Sequence, residues 1–447
     1  MCYPVDVRIC AALLVIAACG NHRPSPRRDA GVAVPPAGSA EPASLPSRPL
    51  GAATLADFGW RKRAGQPAFR QAQTEEAAGD WAGVVRDCSR ALAADPEHLD
   101  AAWLLAIARA KTGALDGVTE PLAVAAAGDY GKWAVAALAH PALRDYLATP
   151  AGMAWRRRAE ADRAVYLAAL AHALVVRANG DVFAYDLASP RWYRLTRTNG
   201  HVIAAMPAGR RIAYVTRSKG KLGVGAIDLD DGRSTHAIDA GGGPIEIAAI
   251  PTGFWIGMLG KGHALALDGS LALAPVKRPN GPHLHVTPNG NAQLVRLPIA
   301  AISGDWDDHG LASAIRLATT QRIVTVPSPG VIAGNTVEWS PDRSHVAFVA
   351  QLAEQCTPHA PTVAAVVADV ATGAVHELSR SVSGLAVEWV NDRELAIAGD
   401  GGVALAPLAG SGSTSVDGAS ALAAPLFTAK CAPPEPVAEG SDDDESP

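Results

Sequence analysis

"VEWSPDRSHVAFVA", residues 337–350, combines a tight turn with a strand in which apolar and polar residues alternate. Pro341 fixes its own φ, and the side chain of Asp342 can accept hydrogen bonds from the backbone that follows, so the pair favours a turn. Beyond the turn, Val346 and Phe348 are two residues apart and therefore lie on the same face of a strand. That face needs an apolar neighbour, and the chain supplies one if the unit recurs.

The same unit recurs along the chain. "AMPAGRRIAYV" (205–215) aligns with "WSPDRSHVAFV" (339–349) position by position, and "AIPTGFWIGML", "VTPNGNAQLVRL" and "WVNDRELAIAG" are further copies. Neighbouring copies are 44, 37, 53 and 50 residues apart, counted between the turn residues Pro207, Pro251, Pro288, Pro341 and Asn391. A repeat of this length with several strands predicts β-propeller blades, because a small sheet can bury both faces only between two others.

A second recurring element is a strand that ends at an aspartate, followed by a turn and another strand, as in "VFAYDLASPRWYRLT" and "AVVADVATGAVHELS". Residues 163–430 therefore predict an all-β propeller of about six blades, with seven as the alternative. The first strands, in "ALVVRANGDVFAYDL", and the last, in "SALAAPLFTAK", are expected to share one blade and so to close the ring.

The opening unit resembles the repeat of TolB-like and WD-type β-propellers, whose pattern is roughly W-S-P-D-G-x-x-I-A-F. The matching tetrapeptide consists of Trp339, Ser340, Pro341 and Asp342. Arg343 departs from the pattern, which usually has glycine at this position. Because one copy of five carries the whole tetrapeptide, the resemblance implies the fold and does not extend to the envelope partners of TolB itself.

Between residues 68 and 155 the apolar spacing is helical. Gly79-Asp80-Trp81 and Gly113-Ala114-Leu115 lie 34 residues apart, and the stretch between them resembles a tetratricopeptide repeat. The resemblance implies about two repeats and a concave face that binds peptides; a packing adaptor is the alternative. Two repeats are few for independent stability, so this module is expected to pack against a neighbour. The fold class is thus α+β, a short helical module plus the propeller.

The N-terminal segment, residues 1–19, has the features of a signal peptide. Ten apolar residues follow Arg8, too few to span a bilayer. "IAAC", ending at Cys19, resembles the lipobox of bacterial lipoproteins. The resemblance implies that Cys19 carries acyl chains such as palmitate and anchors the chain in the cell envelope, at the outer membrane facing the periplasm or at the cell surface. An ordinary signal peptide or a chance apolar start is the alternative.

Two further segments have compositions that cannot bury enough apolar surface to fold. Residues 20–67 are rich in Pro, Ala and Ser and predict a disordered linker, whereas residues 431–447 predict an acidic disordered tail. Together they place the helical module and the propeller between two extended ends of the chain.

Five residues are candidates for metal ligands: His283 and His285, which share a strand face in "HLHV", and Asp305, Asp307 and His309 in "GDWDDHG". Spacing ties no third ligand to the two histidines, and Gly-Asp-rich loops are ordinary turns. A solvated loop is therefore the favoured interpretation, and neither a metal nor a cofactor is predicted.

Motifs of catalytic sites are absent from the sequence: it contains no HExxH, paired CxxC, EF-hand loop, GxSxG elbow or Walker A segment. No catalytic residue is predicted. Cys88 lies in a predicted helix and is expected to be a buried thiol. Cys356 and Cys431 either form a disulfide in an oxidising envelope or both remain free.

The net charge of −5 is small and mixed in sign, which argues against a nucleic-acid partner. The sequence favours a membrane-anchored scaffold without catalytic activity that binds an envelope protein or peptide. The alternative is an enzyme or a small-ligand- or metal-binding protein, hydrolase-like or sugar-binding-like, that uses polar residues at the propeller channel. A structural protein with no partner of its own is a third interpretation.

Overall fold

The computed structural model describes residues 48–58, 63–295, 302–304, 311–318, 323–352, 359–409 and 412–429. The predicted signal peptide with Cys19, the predicted acidic tail and most of the predicted linker lie outside these ranges. So do five other residues named above: Asp305, Asp307, His309, Cys356 and Cys431.

Seven α-helices occupy the first part of the described chain. They are α1 (Gln66–Ala78), α2 (Trp81–Ala94), α3 (Leu99–Lys111), α4 (Thr119–Gly128), α5 (Tyr130–Ala139), α6 (Arg144–Leu147) and α7 (Pro150–Ala171). Consecutive helices from α1 to α5 pack against each other. No helix among the described residues combines the length and hydrophobicity that crossing a bilayer requires.

Local signals set the ends of these helices. Gly79 ends α1 with a φ of 76°, a left-handed conformation that glycine adopts at little cost. Asp80 then begins α2, and its side chain accepts a hydrogen bond from the backbone N–H of Gly83. Cys88 on α2 is fully buried, as predicted, and burial raises the pKa of its thiol to about 12. This thiol is therefore protonated and unreactive at neutral pH.

The helical region extends to Ala171, beyond the predicted boundary at residue 155, and the first strand begins at Leu174 instead of near residue 163. The cause is α7, whose buried residues lie on one face and pack against the propeller. Tyr166 on α7 contacts Tyr193 of the first sheet, with their ring centroids 5.6 Å apart. The helical module and the propeller therefore share one hydrophobic core.

Residues 48–58 are folded, so the predicted linker is too long at its C-terminal end. Ala52 exchanges two backbone hydrogen bonds of 2.9 Å with Trp192, and a 3-10 turn follows at Leu55–Phe58. Phe58 packs on Phe183 with ring centroids 5.4 Å apart. These few apolar residues are buried against the first sheet. They are too few to change the average composition of the predicted linker, so the composition did not reveal them.

The β region begins with three regular antiparallel sheets. The first contains β1 (Leu174–Ala178), β2 (Asp181–Asp186) and β3 (Arg191–Arg194); the second β4 (Val202–Ala208), β5 (Arg211–Ser218), β6 (Lys221–Asp228) and β7 (Arg233–Gly241); the third β8 (Ile245–Ile250), β9 (Gly253–Met258), β10 (Lys261–Ala266) and β11 (Leu271–Ala274).

Sixteen further strands follow in the described part of the chain. They are β12 (His283–Val286), β13 (Ala292–Val295), β14 (Ile302–Gly304), β15 (Leu311–Ala312), β16 (Ile315–Ala318), β17 (Ile323–Val326), β18 (Val331–Ala333), β19 (Glu338–Trp339), β20 (His345–Gln351), β21 (Val363–Asp369), β22 (Val375–Ser381), β23 (Ala386–Asn391), β24 (Glu394–Gly399), β25 (Gly402–Pro407), β26 (Thr414–Ser415) and β27 (Ala421–Leu422). The fourth sheet has the order β14-β16-β17, the fifth β15-β18-β20-β21-β22 with β19 beside β20, and the sixth β23-β24-β25-β26.

Strand β20 shows how a sheet is buried on both faces. Val346 and Phe348 belong to a core shared with Ile315 of the fourth sheet. The intervening Ala347 belongs to another core, shared with Leu395 of the sixth sheet. The period of two along the strand thus sends alternate residues to the two neighbouring sheets, as the sequence predicted.

The last strand closes the ring. β27 pairs with β1, with Val176 opposite Leu422. Just beyond it, Phe427 forms a bridge to Leu385, at the start of the sixth sheet. The predicted sharing of one sheet by the first and last strands is therefore confirmed. With six sheets among the described residues, the fold is an α-helical module followed by a β-propeller.

The repeat around Pro288 departs from the predicted regularity. Its hairpin, β12–β13, pairs with β8 and extends the third sheet to the order β11-β10-β9-β8-β12-β13. Leu284 lies opposite Ile247 in this pairing, and both side chains are fully buried. The apolar pattern of the hairpin is satisfied by the edge of a neighbouring sheet, and the described residues of the fourth sheet form three strands.

The turn of the opening stretch has the predicted construction. Asp342 accepts hydrogen bonds from the backbone N–H of Ser344 at 2.9 Å and from the hydroxyl of Ser340 at 2.7 Å. Its own N–H donates to Asp392 in the corresponding turn of the sixth sheet, at 2.8 Å. Nearby, the indole N–H of Trp389 donates to the Glu338 carbonyl at 3.2 Å. The motif therefore joins two successive sheets.

We expect Arg343→Gly to stabilise the protein by roughly 0.5–1 kcal/mol. Arg343 has a φ of 60°, in the left-handed region where a side chain is strained and glycine is not. Urea unfolding of the variant measures the change. Arg393→Gly is the matched control, since Arg393 is also an exposed turn residue but has no positive φ. It should lower stability, and an equal effect of both substitutions would contradict the explanation.

The contribution of Asp342 to stability should depend on pH. The hydrogen bond from the Ser344 backbone N–H, with those from Ser340 and Ser344 hydroxyls, lowers the pKa of Asp342 from 3.8 to about 2. Because the folded pKa is the lower one, the stabilisation is complete above the unfolded value and is lost as the pH falls towards 2. Urea unfolding should show Asp342→Ala less stable than wild type at pH 7, with the difference vanishing near the folded pKa. A difference of constant size over this range would contradict the assignment.

Candidate functional site

The two described metal candidates lie on β12, in different environments. His283 is 7% exposed, and its Nδ1 has no hydrogen-bond partner among the described residues. Burial, with a contribution from Arg278, lowers the pKa of His283, so this imidazole is neutral at pH 7. The side chain of His285 is 40% exposed, and its Nδ1 lies 4.0 Å from Oε1 of Glu246.

These histidines are not joined by further ligands in the described part of the chain, which holds no group of three or more His, Cys, Asp or Glu side chains suited to a metal ion. Oε2 of Glu246, the acidic neighbour of His285, is also 3.7 Å from Nη1 of Arg278. A carboxylate beside an arginine forms a surface ion pair, an arrangement that needs no ligand to explain it. The other three candidates, Asp305, Asp307 and His309, lie outside the described residues.

A cavity of about 460 Å³ lies in the propeller between parts of the third, fifth and sixth sheets, and is called the channel below. Its walls come from the β12–β13 hairpin, the segment before β19, the start of β23 and the C-terminal segment. The polar lining includes His285, Gln293, Asn335 and Thr336. Asn335 donates to the Leu294 carbonyl at 3.1 Å, and Thr336 accepts from the Val349 N–H at 2.8 Å.

Several of the polar side chains at the channel thus already form hydrogen bonds with the backbone. Of the five metal candidates, the described lining contains His285 alone. Among the residues that the structure describes, the lining has no pair of carboxylates and no nucleophile beside a base, the arrangements that acid–base and covalent catalysis require. The described lining combines polar side chains with apolar ones such as Leu385 and Phe427, a mixture typical of small-ligand sites.

A second cavity, of about 450 Å³, lies on the helical module and is called the helical groove below. Alternate helices form it: α1 contributes Gln66, Phe69, Gln73 and Glu76; α3 contributes Asp100, Trp103, Leu104 and Ile107; α5 contributes Lys132 and Trp133. The spacing of three and four residues on α1 and α3 places each set on one helix face. His140 and Asn199 complete the rim, so the propeller also touches the groove.

The floor of the helical groove is aromatic. Trp103 and Trp133 are stacked, with ring centroids 4.5 Å apart and an interplanar angle of 17°. His140 meets Trp103 edge to face at 5.6 Å. These contacts fix three rings from different elements, and large rigid side chains of this kind dominate binding energy in protein interfaces.

The polar groups of the groove are partly paired. Nζ of Lys132 lies 2.9 Å from Oδ1 of Asp100 and 3.6 Å from the ring centroid of Trp133. Burial, with a contribution from Lys111, lowers the pKa of His140, so this imidazole is neutral at pH 7. The lining therefore contains an aromatic surface with a cation on it.

The sequence did not predict the groove around Trp103. The available signal was the pair of tryptophans at 103 and 133, which are 30 residues apart, close to the 34-residue spacing of the two glycine turns. The charged partners left no such signal, because Asp100 and Lys132 become neighbours only when α3 packs beside α5.

No protein-family model matches the chain, and a comparison with curated proteins finds no match. Among solved structures, a candidate 6-phosphogluconolactonase from Bacteroides fragilis aligns at 10% identity over 57% of this chain and 97% of its own, with a TM-score of 0.30. TolB from Acinetobacter baumannii aligns at 14% identity over 60% and 72%, with a TM-score of 0.23. An oligogalacturonate lyase in complex with manganese aligns at 12% identity over 53% and 74%, with a TM-score of 0.25.

Each of these similarities covers little more than half of this chain. Their identities and TM-scores are too low to carry an argument about function, and the three proteins differ in what they do. The propeller is therefore established by the strand pairing and ring closure described above, and function has to be argued from the sites.

Proposed function

We propose that the protein is a lipid-anchored scaffold of the cell envelope that binds a peptide segment of a partner protein in the helical groove, without catalysis. The observation that carries this proposal is the helical groove itself, an aromatic-floored cavity lined by α1, α3 and α5. Grooves lined by alternate helices are how tetratricopeptide repeats bind extended peptides, and the spacing from Gly79 to Gly113 resembles that repeat.

The proposal assigns the propeller a supporting role. Tyr166 and its neighbours join α7 to the first sheet, and Asn199 of the propeller lies at the rim of the groove. A rigid body of this size holds the short helical module in one shape, which limits the entropy lost when a peptide binds. A non-catalytic role is supported by the channel lining, where Asn335 and Thr336 bond the backbone.

A second candidate function is the binding of a small polar ligand in the propeller channel. The cavity of about 460 Å³ favours it, because that volume is within the range of small-molecule sites. The helical groove is preferred because it offers stacked tryptophans, whereas the channel offers isolated polar groups.

Photo-crosslinking in living cells tests the peptide-binding role. A benzophenone amino acid at Gln73, which lines the groove, should give adducts with a defined segment of one partner protein. The matched control is the adjacent exposed residue Thr74, which lies on the same helix outside the groove. A synthetic peptide of the captured segment should then bind the purified protein, as measured by calorimetry. Equal adducts from both positions, or a captured segment that does not bind, would refute the role.

Membrane attachment through Cys19 is tested separately. The Cys19→Ser variant should lose metabolic labelling by palmitate and move from the membrane to the soluble fraction of a Gram-negative host, because acyl chains provide the anchor. Cys10→Ser is the matched control, since Cys10 lies in the same apolar segment before the expected cleavage point. It should leave labelling and fractionation unchanged. A Cys19→Ser protein that stays labelled and membrane-bound would show that the anchor is wrong.

A further inference from the structure

The helical groove already contains a bound cation, supplied by the chain itself. The ammonium group of Lys132 lies over the face of Trp133, 3.6 Å from the ring centroid. The same group is 2.9 Å from Oδ1 of Asp100. An aromatic face beside a carboxylate is the usual arrangement by which proteins bind organic cations.

The resident cation can be displaced. The side chains of Lys132 and Asp100 are 31% and 28% exposed, so both groups reach solvent. Ion pairs at this level of exposure contribute little to stability and exchange with water. Lysine is also a compact and strongly hydrated charge, which binds less well to a flat ring than a guanidinium does.

The charges of the lining favour a cationic ligand. The described lining contains two carboxylates, those of Glu76 and Asp100, and one ammonium group, that of Lys132. His140 does not change this balance at pH 7, because burial and Lys111 lower its pKa and keep it neutral. When a ligand cation replaces Lys132, both carboxylates remain to balance it.

We propose that the peptide bound in the helical groove presents an arginine side chain, which displaces Lys132, stacks on Trp133 and pairs with Asp100. A planar guanidinium can do both at once, since it stacks on aromatic rings and donates two parallel hydrogen bonds to a carboxylate. Displaced Lys132 moves into solvent on its flexible side chain. This inference rests on the proposed peptide-binding function and specifies the chemistry of the peptide.

The test compares two synthetic peptides, acetyl-Gly-Leu-Arg-Leu-Arg-Gly-amide and the same peptide with citrulline in place of arginine. Citrulline has nearly the same shape without the charge. Calorimetry on the purified full-length chain should show the arginine peptide binding about tenfold more tightly or better. A third peptide, with glutamate at both positions, should bind more weakly than either.

Two substitutions should act in opposite directions on the arginine peptide. Asp100→Asn removes the partner carboxylate and should weaken binding about tenfold. Lys132→Met removes the competing cation and keeps a similar length, so it should strengthen binding several-fold. Lys261→Met is the matched control, because Lys261 is an exposed lysine on β10 of the third sheet, outside the groove lining. It should leave the affinity unchanged, and thermal melts should show that all three variants are folded.

The outcomes separate this inference from the function on which it rests. Weaker binding by Lys132→Met, or tighter binding of the glutamate peptide, would show that the groove takes an anion, which overturns the inference and leaves peptide binding intact. Equal binding of the arginine and citrulline peptides, or no binding of either at millimolar concentration, would also overturn it. Crosslinking from Gln73 tests peptide binding without any assumption about charge.

Discussion

The structure depends on the need of each small sheet to bury two apolar faces. Strand β20 alternates between two cores, one shared with Ile315 and the other with Leu395, so neither face can be left without a neighbouring sheet. A row of such sheets ends at two exposed faces unless it closes, and the pairing of Val176 with Leu422 closes it. The turn at Asp342, which bonds to the next turn at Asp392, holds adjacent sheets in register at one end.

The same requirement explains the short helical module. A few helices bury too little surface to be stable alone, and α7 supplies the missing contacts by packing on the first two sheets. Tyr166 lies against the backbone of α5 and of the second sheet. A Cβ on Gly131 of α5 would approach its hydroxyl to 2.9 Å, and a Cβ on Gly232, between β6 and β7, would approach its ring to 2.4 Å. The groove on α1, α3 and α5 thus belongs to a body anchored on the propeller.

Local chemistry and the closure of the ring were predictable, whereas the placement of individual hairpins and helices beside each other was not. The turn at Asp342 and the facing of Phe348 follow from residues next to each other in sequence, and the shared first sheet followed from counting repeats. The hairpin at Pro288 was assigned to its own blade, yet an open strand edge on β8 accepted it. The Lys132–Asp100 pair in the candidate site depends on how α5 packs beside α3, and no local pattern encodes that.

Both described ends of the chain meet the first sheet, on opposite edges. Residues 48–58 join its outer strand through Ala52 and Trp192, whereas β27 joins its inner strand β1. Tension applied through the preceding chain would load the Ala52 bridge and the contact of Gly51 with Ala127 on α4 first. The pairing of β27 with β1, which closes the ring, lies two strands further into the same sheet. A mechanical pull would therefore detach residues 48–58 and loosen the helical module while the ring of sheets stayed closed.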